Sequence, residues 1–364
     1  MAEIVIQNLR KDFGDFTAVK SSSFRIEDGE FFMLLGPSGC GKTTTLRMIA
    51  GLELPTSGEI WIDGEEVGKK PASQRDIAFV FQMFALYPHM NVRRNISYPL
   101  TSQGMPRARI REKVAEVARI LDIGAILDRP VGGLSGGDRQ RVALARAIVR
   151  DPKCFLMDEP LGALDAEFRE RMAEELRALH DRMRATTVYV THDQLEAMQM
   201  GDKIVVMNHG VIEQFGTPQD IYDKPATLFV ASFIGSPPMN VLRFHGKVAP
   251  GTAAVALHHH TVAVPALREA FEGDMILGVR PEHVRLTDDA PYRGRVLATE
   301  YLGTTQIVTL DTANGQIKAR IASDRIVRMD ETVGLAFHPA TITLFDAQSG
   351  RALRSELNEG VLHG

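Results

Sequence analysis

Gly36-Pro37-Ser38-Gly39-Cys40-Gly41-Lys42-Thr43 follows the apolar run Phe31–Leu35 and leads into a helix-compatible stretch. The glycine spacing and the closing Lys-Thr match a phosphate-binding loop set between a strand and a helix. Glycines let successive backbone N–H groups turn toward one anion, and the following helix presents its positive end to it. In such a loop Lys42 reaches the β- and γ-phosphates of a nucleotide, and Thr43 can hold Mg2+. Cys40 lies inside the loop, but no histidine base adjoins it in sequence, so no nucleophilic chemistry is expected there.

Outward from the loop, Phe31–Leu35, Ile77–Phe81, Phe155–Met157, Thr187–Val190 and Lys203–Met207 read as strands. Helical periodicity marks Arg107–Leu121, Ser135–Arg150, Ala166–Arg184 and Gln194–Met200. Strands alternating with helices imply an α/β fold over residues 1–235, with an inserted helical subdomain at about 88–150. After Ser236-Pro237-Pro238 the chain changes to short β-rich runs, among them Thr261–Val264, Met275–Val279, Gln306–Leu310 and Ile317–Ile321. Residues 236–364 therefore read as a separate, smaller all-β domain. At 364 residues, two domains fit the usual size of about 150 residues each.

Phe155-Leu156-Met157-Asp158-Glu159 is an apolar strand ending in two carboxylates. Successive strand side chains face opposite ways, so Asp158 is assigned to the shell of a metal ion and Glu159 to polarising an attacking water. Leu134-Ser135-Gly136-Gly137-Asp138 opens a long helix, with Ser135 as N-cap and Asp138 three residues on, the pattern of a capping box. A cap needs no glycine, and each glycine costs a helix about 1 kcal/mol. Gly136 and Gly137 thus point to an anion that must approach the backbone closely.

Taken together, Gly36–Thr43, Leu134–Asp138 and Asp158–Glu159 resemble, in order and spacing, the phosphate loop, signature and strand-end carboxylates of ABC ATPases. The resemblance implies an ABC ATPase domain of the P-loop NTPase class, with ATP and Mg2+ as ligands. It implies ATP contacts at Phe13, which would stack on adenine, at Gly36 through Thr44, and at Gln82 and Asp158. Thr43, Gln82 and Asp158 would form the Mg2+ shell. Lys42, Glu159 and His192 would be catalytic, His192 acting as the switch histidine. Ser135, Gly136, Gly137 and Asp138 would contact the ATP of a partner subunit, and Asp165 would stand in the dimer-contact loop Leu161–Asp165.

The segments Val80–His89 and Phe233–Asn240 resemble the ATPases of maltose-type and glycerol-phosphate-type importers. Gly278-Val279-Arg280-Pro281-Glu282-His283-Val284 is similar to part of the OB-like regulatory domain attached to them. The implied function is the ATP-hydrolysing subunit that powers import of a sugar or polyol. The implied partners are a second ATPase subunit, identical or paralogous, two membrane-spanning permease subunits and, indirectly, an extracytoplasmic substrate-binding protein. Glycerol phosphate, polyamine or iron remain alternative cargoes, and a soluble non-transport ABC ATPase is the remote alternative. That last class commonly has paired ATPase modules or sustained heptads, whereas this chain has one phosphate loop and no such heptads.

Composition agrees. With 42 Lys+Arg against 46 Asp+Glu the formal charge is −4, which offers no electrostatic footprint for nucleic acid. Met1–Arg10 lacks the basic-then-apolar pattern of a secretory signal, and no run approaches the roughly 20 apolar residues that span a bilayer. Two cysteines suit a reducing compartment. The expected location is peripheral, on the cytoplasmic face of the bacterial inner membrane. His258-His259-His260 is expected to be a solvated turn, since three adjacent side chains do not readily face one ion.

Two positions depart from the family pattern. Asp138 stands where the signature commonly has Gln, which puts a carboxylate toward nucleotide phosphate. Phe13 stands where Tyr or Trp is commoner, and any aromatic face can still stack on adenine.

Overall fold

A computed structural model describes residues 2–83, 85–162 and 164–361. The chain forms two compact units, dividing between Ile212 and Glu213.

In the first unit, β1 (Ile4–Phe13), β2 (Phe16–Ile26), β4 (Ser57–Ile62) and β5 (Glu65–Glu66) form an antiparallel sheet in the order β2-β1-β4-β5. A second sheet contains β3 (Phe31–Leu35), β6 (Ile77–Val80), β7 (Cys154–Asp158), β8 (Thr186–Thr191) and β9 (Lys203–Asn208), ordered β9-β3-β8-β7-β6. Strands β9, β3, β8, β7 and β6 run parallel, in registers such as Phe31 opposite Thr187 and Cys154 opposite Thr186. Every residue of β3, β7 and β8 is buried, which is why β3 and β7 are near-continuous apolar runs rather than alternating ones, while β8 buries three threonines among its apolar residues.

Helix α1 (Lys42–Ala50) follows β3. Between β6 and β7 lie α2 (Val92–Ser102), α3 (Arg107–Ile120) and α4 (Gly136–Ile148), the helical insertion. Helix α2 was not anticipated: it is half polar and contains Pro99. Its start is held by Asn91, whose side chain caps the Arg94 N–H. Buried Asn95 accepts from the Tyr87 N–H and donates to the carbonyls of Tyr87, Met90 and Asn91. That one amide organises the turn between the Gln82 segment and α2. Helices α5 (Ala166–Met183) and α6 (Gln194–Met200) complete the unit.

The second unit begins with two short helices, Pro218–Asp223 and Leu228–Phe233, and continues as an all-β structure. Strand Phe271–Val279 pairs antiparallel with Asn240–Val248 and with Thr343–Asp346. A five-stranded sheet runs Val284–Thr287, Thr332–Phe337, Arg293–Tyr301, Thr305–Thr312, Gly315–Ala322. Leu242, Leu277, Val284, Val308, Leu335 and Leu344 share one core. His258–His260 falls at a tight hairpin turn, with His258 in the left-handed region at φ 57°.

Compact packing divides the chain at 212/213, whereas the domain boundary expected from the sequence is 235/236; within the second unit Arg280 holds the two short helices to the β structure. Arg280 is 1% exposed. Its guanidinium donates to the carbonyls of Tyr222 at 2.8 Å, Ala231 at 3.2 Å and Ile234, and lies 4.1 Å above the Tyr222 ring. The Tyr222 hydroxyl donates to Glu282 at 2.6 Å. A cation buried without a directly bonded carboxylate is tolerated here because helix-end carbonyls carry partial negative charge.

Arg280→Met leaves the Tyr222 and Ile234 carbonyls without their donor, while the Ala231 carbonyl keeps the Met239 N–H. It is expected to destabilise the second unit by about 3 kcal/mol. Hydrogen exchange should quicken in residues 218–234; unchanged protection there would show that the guanidinium is dispensable.

Candidate nucleotide-binding and catalytic site

The phosphate loop leaves β3 at Leu35 and enters α1 at Lys42. Its neighbours leave no room for side chains at either end. A Cβ on Gly36 would lie 2.2 Å from the Met207 carbonyl oxygen, and one on Gly41, at φ 109°, would lie 2.6 Å from that of Ala18. Lys42 is 4% exposed, and its ammonium donates to the carbonyls of Gly36 at 2.8 Å and Pro37 at 2.9 Å. The loop therefore curls around its own cation. Cys40 is buried beside it, and burial pushes its thiol above the usual range, which opposes thiolate chemistry.

The Thr43 hydroxyl donates to Asp158 Oδ1 at 2.8 Å, joining the start of α1 to the end of β7. Burial raises the Asp158 pKa, partly offset by the Thr43 bond. Glu159, the next residue, has φ 44°, a left-handed conformation that costs a non-glycine residue on the order of 1 kcal/mol. Its N–H donates to the Val190 carbonyl at 3.0 Å. Glu159 Oε2 lies 3.4 Å from Gln82 Nε2 and 3.2 Å from His192 Nδ1. The His192 side chain is 53% exposed and that of Glu159 19%. Three polar groups thus converge from the carboxyl ends of β6, β7 and β8. Gly162 N–H donates to the Glu159 carbonyl at 3.2 Å, so the 161–165 turn starts directly from the carboxylate.

Ser135 caps α4. Its hydroxyl oxygen accepts from the Asp138 N–H at 3.1 Å, and the hydroxyl donates to Asp138 Oδ2 at 2.8 Å. Asp138 is therefore tied to the signature serine itself. Asp165 caps α5, accepting from the Phe168 N–H at 2.9 Å. The two helix starts meet: a Cβ on Gly136 would lie 3.4 Å from Leu164 Cδ2, and one on Gly137 would lie 2.0 Å from Phe168 Cζ. Gly137 also faces the Phe168 ring of the same chain, so packing within the subunit favours a glycine there in addition to any approach by an anion. Phe13 ends β1 at the hairpin with Phe16, is 47% exposed, and has Lys11 Nζ 4.7 Å over its ring.

Residues 19–162 match the ABC transporter family, residues 235–284 the MalK OB fold domain and residues 277–345 the TOBE domain. The trehalose import ATP-binding protein SugC of Mycobacterium tuberculosis is 46% identical over 389 residues, covering 97% of this chain and 98% of that protein. This chain belongs to the ATP-binding subunits of ABC importers. The sn-glycerol-3-phosphate import ATP-binding protein UgpC of Cereibacter sphaeroides is also 46% identical to this importer ATPase, over 97% of the chain and 100% of its own length. The trehalose/maltose import ATP-binding protein MalK of Thermococcus litoralis is 45% identical, with 97% and 100% covered. A solved dimeric ATP-binding cassette in a post-hydrolysis state with ADP and Pi matches with TM-score 0.53 and 32% identity, over 59% of this chain and 98% of that one. The importer ATPase hydrolyses ATP to drive import, and none of its described helices is long and apolar enough to cross a membrane.

Two features of the importer ATPase escaped the sequence reading. Beside the Gln82 segment lies a groove of about 550 Å³ lined by Phe79, Phe81, Ala85, Tyr87, Tyr98 and Arg146, among others. Its polar floor is organised by Arg146, which donates to the Ala85 carbonyl at 2.8 Å and lies 5.2 Å over Tyr87. The second is a buried carboxylate, Glu196, behind the His192 turn. Asp193 and Glu196 have capping-box spacing, which could have flagged the pair. However, Glu196 faces inward to Tyr189 and Thr191 instead of reaching back to the cap.

Proposed function

We propose that this importer ATPase hydrolyses ATP at Glu159, in a site completed by a second ATPase subunit, and that it powers uptake of a sugar or polyol. The convergence of Gln82, Glu159 and His192 beside the Lys42 loop carries the reading. The loop N–H groups and Lys42 bind the β- and γ-phosphates, Lys42 exchanging its two carbonyl acceptors for phosphate oxygens. Phe13 supplies an exposed ring for adenine. Glu159 orients a water molecule and accepts its proton as the water attacks the γ-phosphorus and the bond to the bridging oxygen breaks, releasing ADP, while His192 holds the carboxylate through Nδ1 and faces the γ-phosphate.

Thr43 and Asp158 offer a hydroxyl and a carboxylate, both hard oxygen donors, already 2.8 Å apart, and that donor set fits Mg2+. Gln82 can add a third oxygen. When bound, the ion neutralises charge between the β- and γ-phosphates. Asp158 must be ionised for this, and the raised pKa that burial imposes would be reversed by the cation.

Ser135, Gly136 and Gly137 are read as the face offered to the ATP of the partner subunit, with Asp165 at the contact between subunits. An identical partner is the simplest assembly. Driving an open-to-closed equilibrium from 1:99 to 99:1 takes about 5.5 kcal/mol of differential binding, which contacts made only in the closed dimer can supply. The aromatic groove beside Gln82 supports docking of a permease segment at the cytoplasmic face of the membrane, with an extracytoplasmic binding protein delivering the cargo. The trehalose-importing and glycerol-3-phosphate-importing relatives are equally similar to this chain, so a phosphorylated polyol is the second reading.

Glu159→Gln should keep ATP binding, lower turnover by at least about 100-fold and trap an ATP-bound dimer. Undiminished turnover would remove Glu159 as the base. Asp138→Gln should free the Ser135 hydroxyl and remove a charge next to phosphate, lowering the ATP concentration for half-maximal dimerisation of a Glu159→Gln background by about tenfold. An unchanged midpoint would mean that Asp138 acts only as a cap. For cargo, the transporter reconstituted with its own permease and binding subunits should show ATPase stimulated by trehalose or a related sugar. Stimulation by glycerol 3-phosphate alone would favour the second reading.

A further inference from the structure

The buried Glu196 carboxylate and the Arg169 guanidinium have no part in the reaction as described, yet together they hold both residues that flank His192. On the amino side, the Thr191 hydroxyl donates to Glu196 Oε2 at 2.8 Å, and the Tyr189 hydroxyl donates to the same oxygen at 2.9 Å. On the carboxyl side, the Asp193 N–H donates to Thr191 Oγ1 at 2.9 Å, and Asp193 Oδ1 caps α6 through the Leu195 N–H at 2.8 Å. Burial pushes the Glu196 carboxyl above the usual carboxylate range, with the Thr191 and Tyr189 bonds opposing.

Arg169 spans from this cluster to a second loop. Its Nη1 donates to Asp193 Oδ2 at 3.2 Å and its Nη2 to the Leu164 carbonyl at 3.0 Å, while Nε lies 3.9 Å from Glu196 Oε1. One planar fork therefore joins the turn that carries Asp165 to the turn that carries His192. A lysine ammonium keeps the charge but lacks the rigid fork that reaches two acceptors in different loops.

We infer that Arg169 is a positioning residue for hydrolysis, fixing the His192 turn to the Leu164–Asp165 turn so that His192 stands against Glu159. The inference rests on the role given to His192 above. His192 is more than half exposed, and among the described residues Glu159 is the one side chain it pairs with, so its placement depends on its two chain neighbours. The Leu164–Asp165 turn packs against the start of α4, so the same link carries the position of the signature helix to the histidine.

The test compares Arg169→Met, Arg169→Lys, His192→Ala and the Arg169→Met/His192→Ala pair in the full-length chain, measuring ATP affinity by equilibrium binding and residual turnover under single-turnover conditions. Arg169→Met should lower turnover by between about tenfold and 100-fold, as expected for a reacting group displaced by about an ångström, with ATP affinity changed less than twofold. Arg169→Lys should retain most of that loss. In the His192→Ala background, Arg169→Met should cost nothing more. Full turnover in Arg169→Lys, or an additive loss in the pair, would overturn the inference. If Arg169→Met does not fold by circular dichroism, Arg169→Lys alone and with His192→Ala carries the same comparison. Intact turnover in His192→Ala would instead sink the role of His192, and the inference with it, whereas loss in His192→Ala with none in Arg169→Met sinks the inference alone.

Discussion

Parallel strands end on the same side of a sheet, and the proposed catalytic centre of this importer ATPase depends on that. Strands β3, β8, β7 and β6 are neighbours, and each releases a functional segment at its carboxyl end: the phosphate loop, His192, Asp158–Glu159 and Gln82. The crevice beyond the carboxyl ends of a parallel sheet is where such folds bind ligands, because the crossover helices that make the strands parallel begin there. Four segments separated by as many as 156 residues (192 − 36) need no dedicated scaffold to meet. The burial of β3, β7 and β8 on both faces keeps their relative heights fixed, so a shift in register would misalign loop, carboxylates and histidine together.

Within that frame the site consists of charged groups held by neutral ones. Lys42 is satisfied by loop carbonyls, and Asp158 by a threonine hydroxyl. Glu159 stands in a left-handed backbone, which turns its side chain away from Asp158 toward Gln82 and His192. Two adjacent carboxylates thus face different surroundings although they share one strand end. Asp158 is buried and bonded to the helix that begins at the phosphate loop, whereas Glu159 opens toward groups that can move.

Much of this was legible in the sequence. Apolar runs marked most core strands to within a residue or two, because a strand buried on both faces has few charged positions to blur it, even in β8 with its three buried threonines. The order of phosphate loop, signature and strand-end carboxylates carried the architecture. The antiparallel sheet of β1, β2, β4 and β5 was less visible, since β2 reads Lys20-Ser21-Ser22-Ser23 through its middle and no apolar run announces it. Helix α2 was hidden by Pro99 and by polar residues whose reason is the turn they hold. The packing of residues 218–234 onto the second unit was hidden for a different cause: Arg280, which helps to hold them, lies 46 residues or more from the carbonyls it binds. Arg169 escaped in the same way, since a charged residue on a helix gives no sign in sequence of the two loops it joins.

The encounter between Gly137 and Phe168 bears on how this chain can drift over generations. As long as the ring stays, any side chain at 137 collides with it, whatever the nucleotide requires. A smaller residue at 168 would lift that steric veto and leave only the nucleotide to act on position 137. The two positions are therefore coupled: a side chain at 137 requires the Phe168 ring to move or to shrink, so changes at the two are not independent. Which side chains the signature tolerates is thus decided in part by a residue thirty-one positions downstream, on another helix.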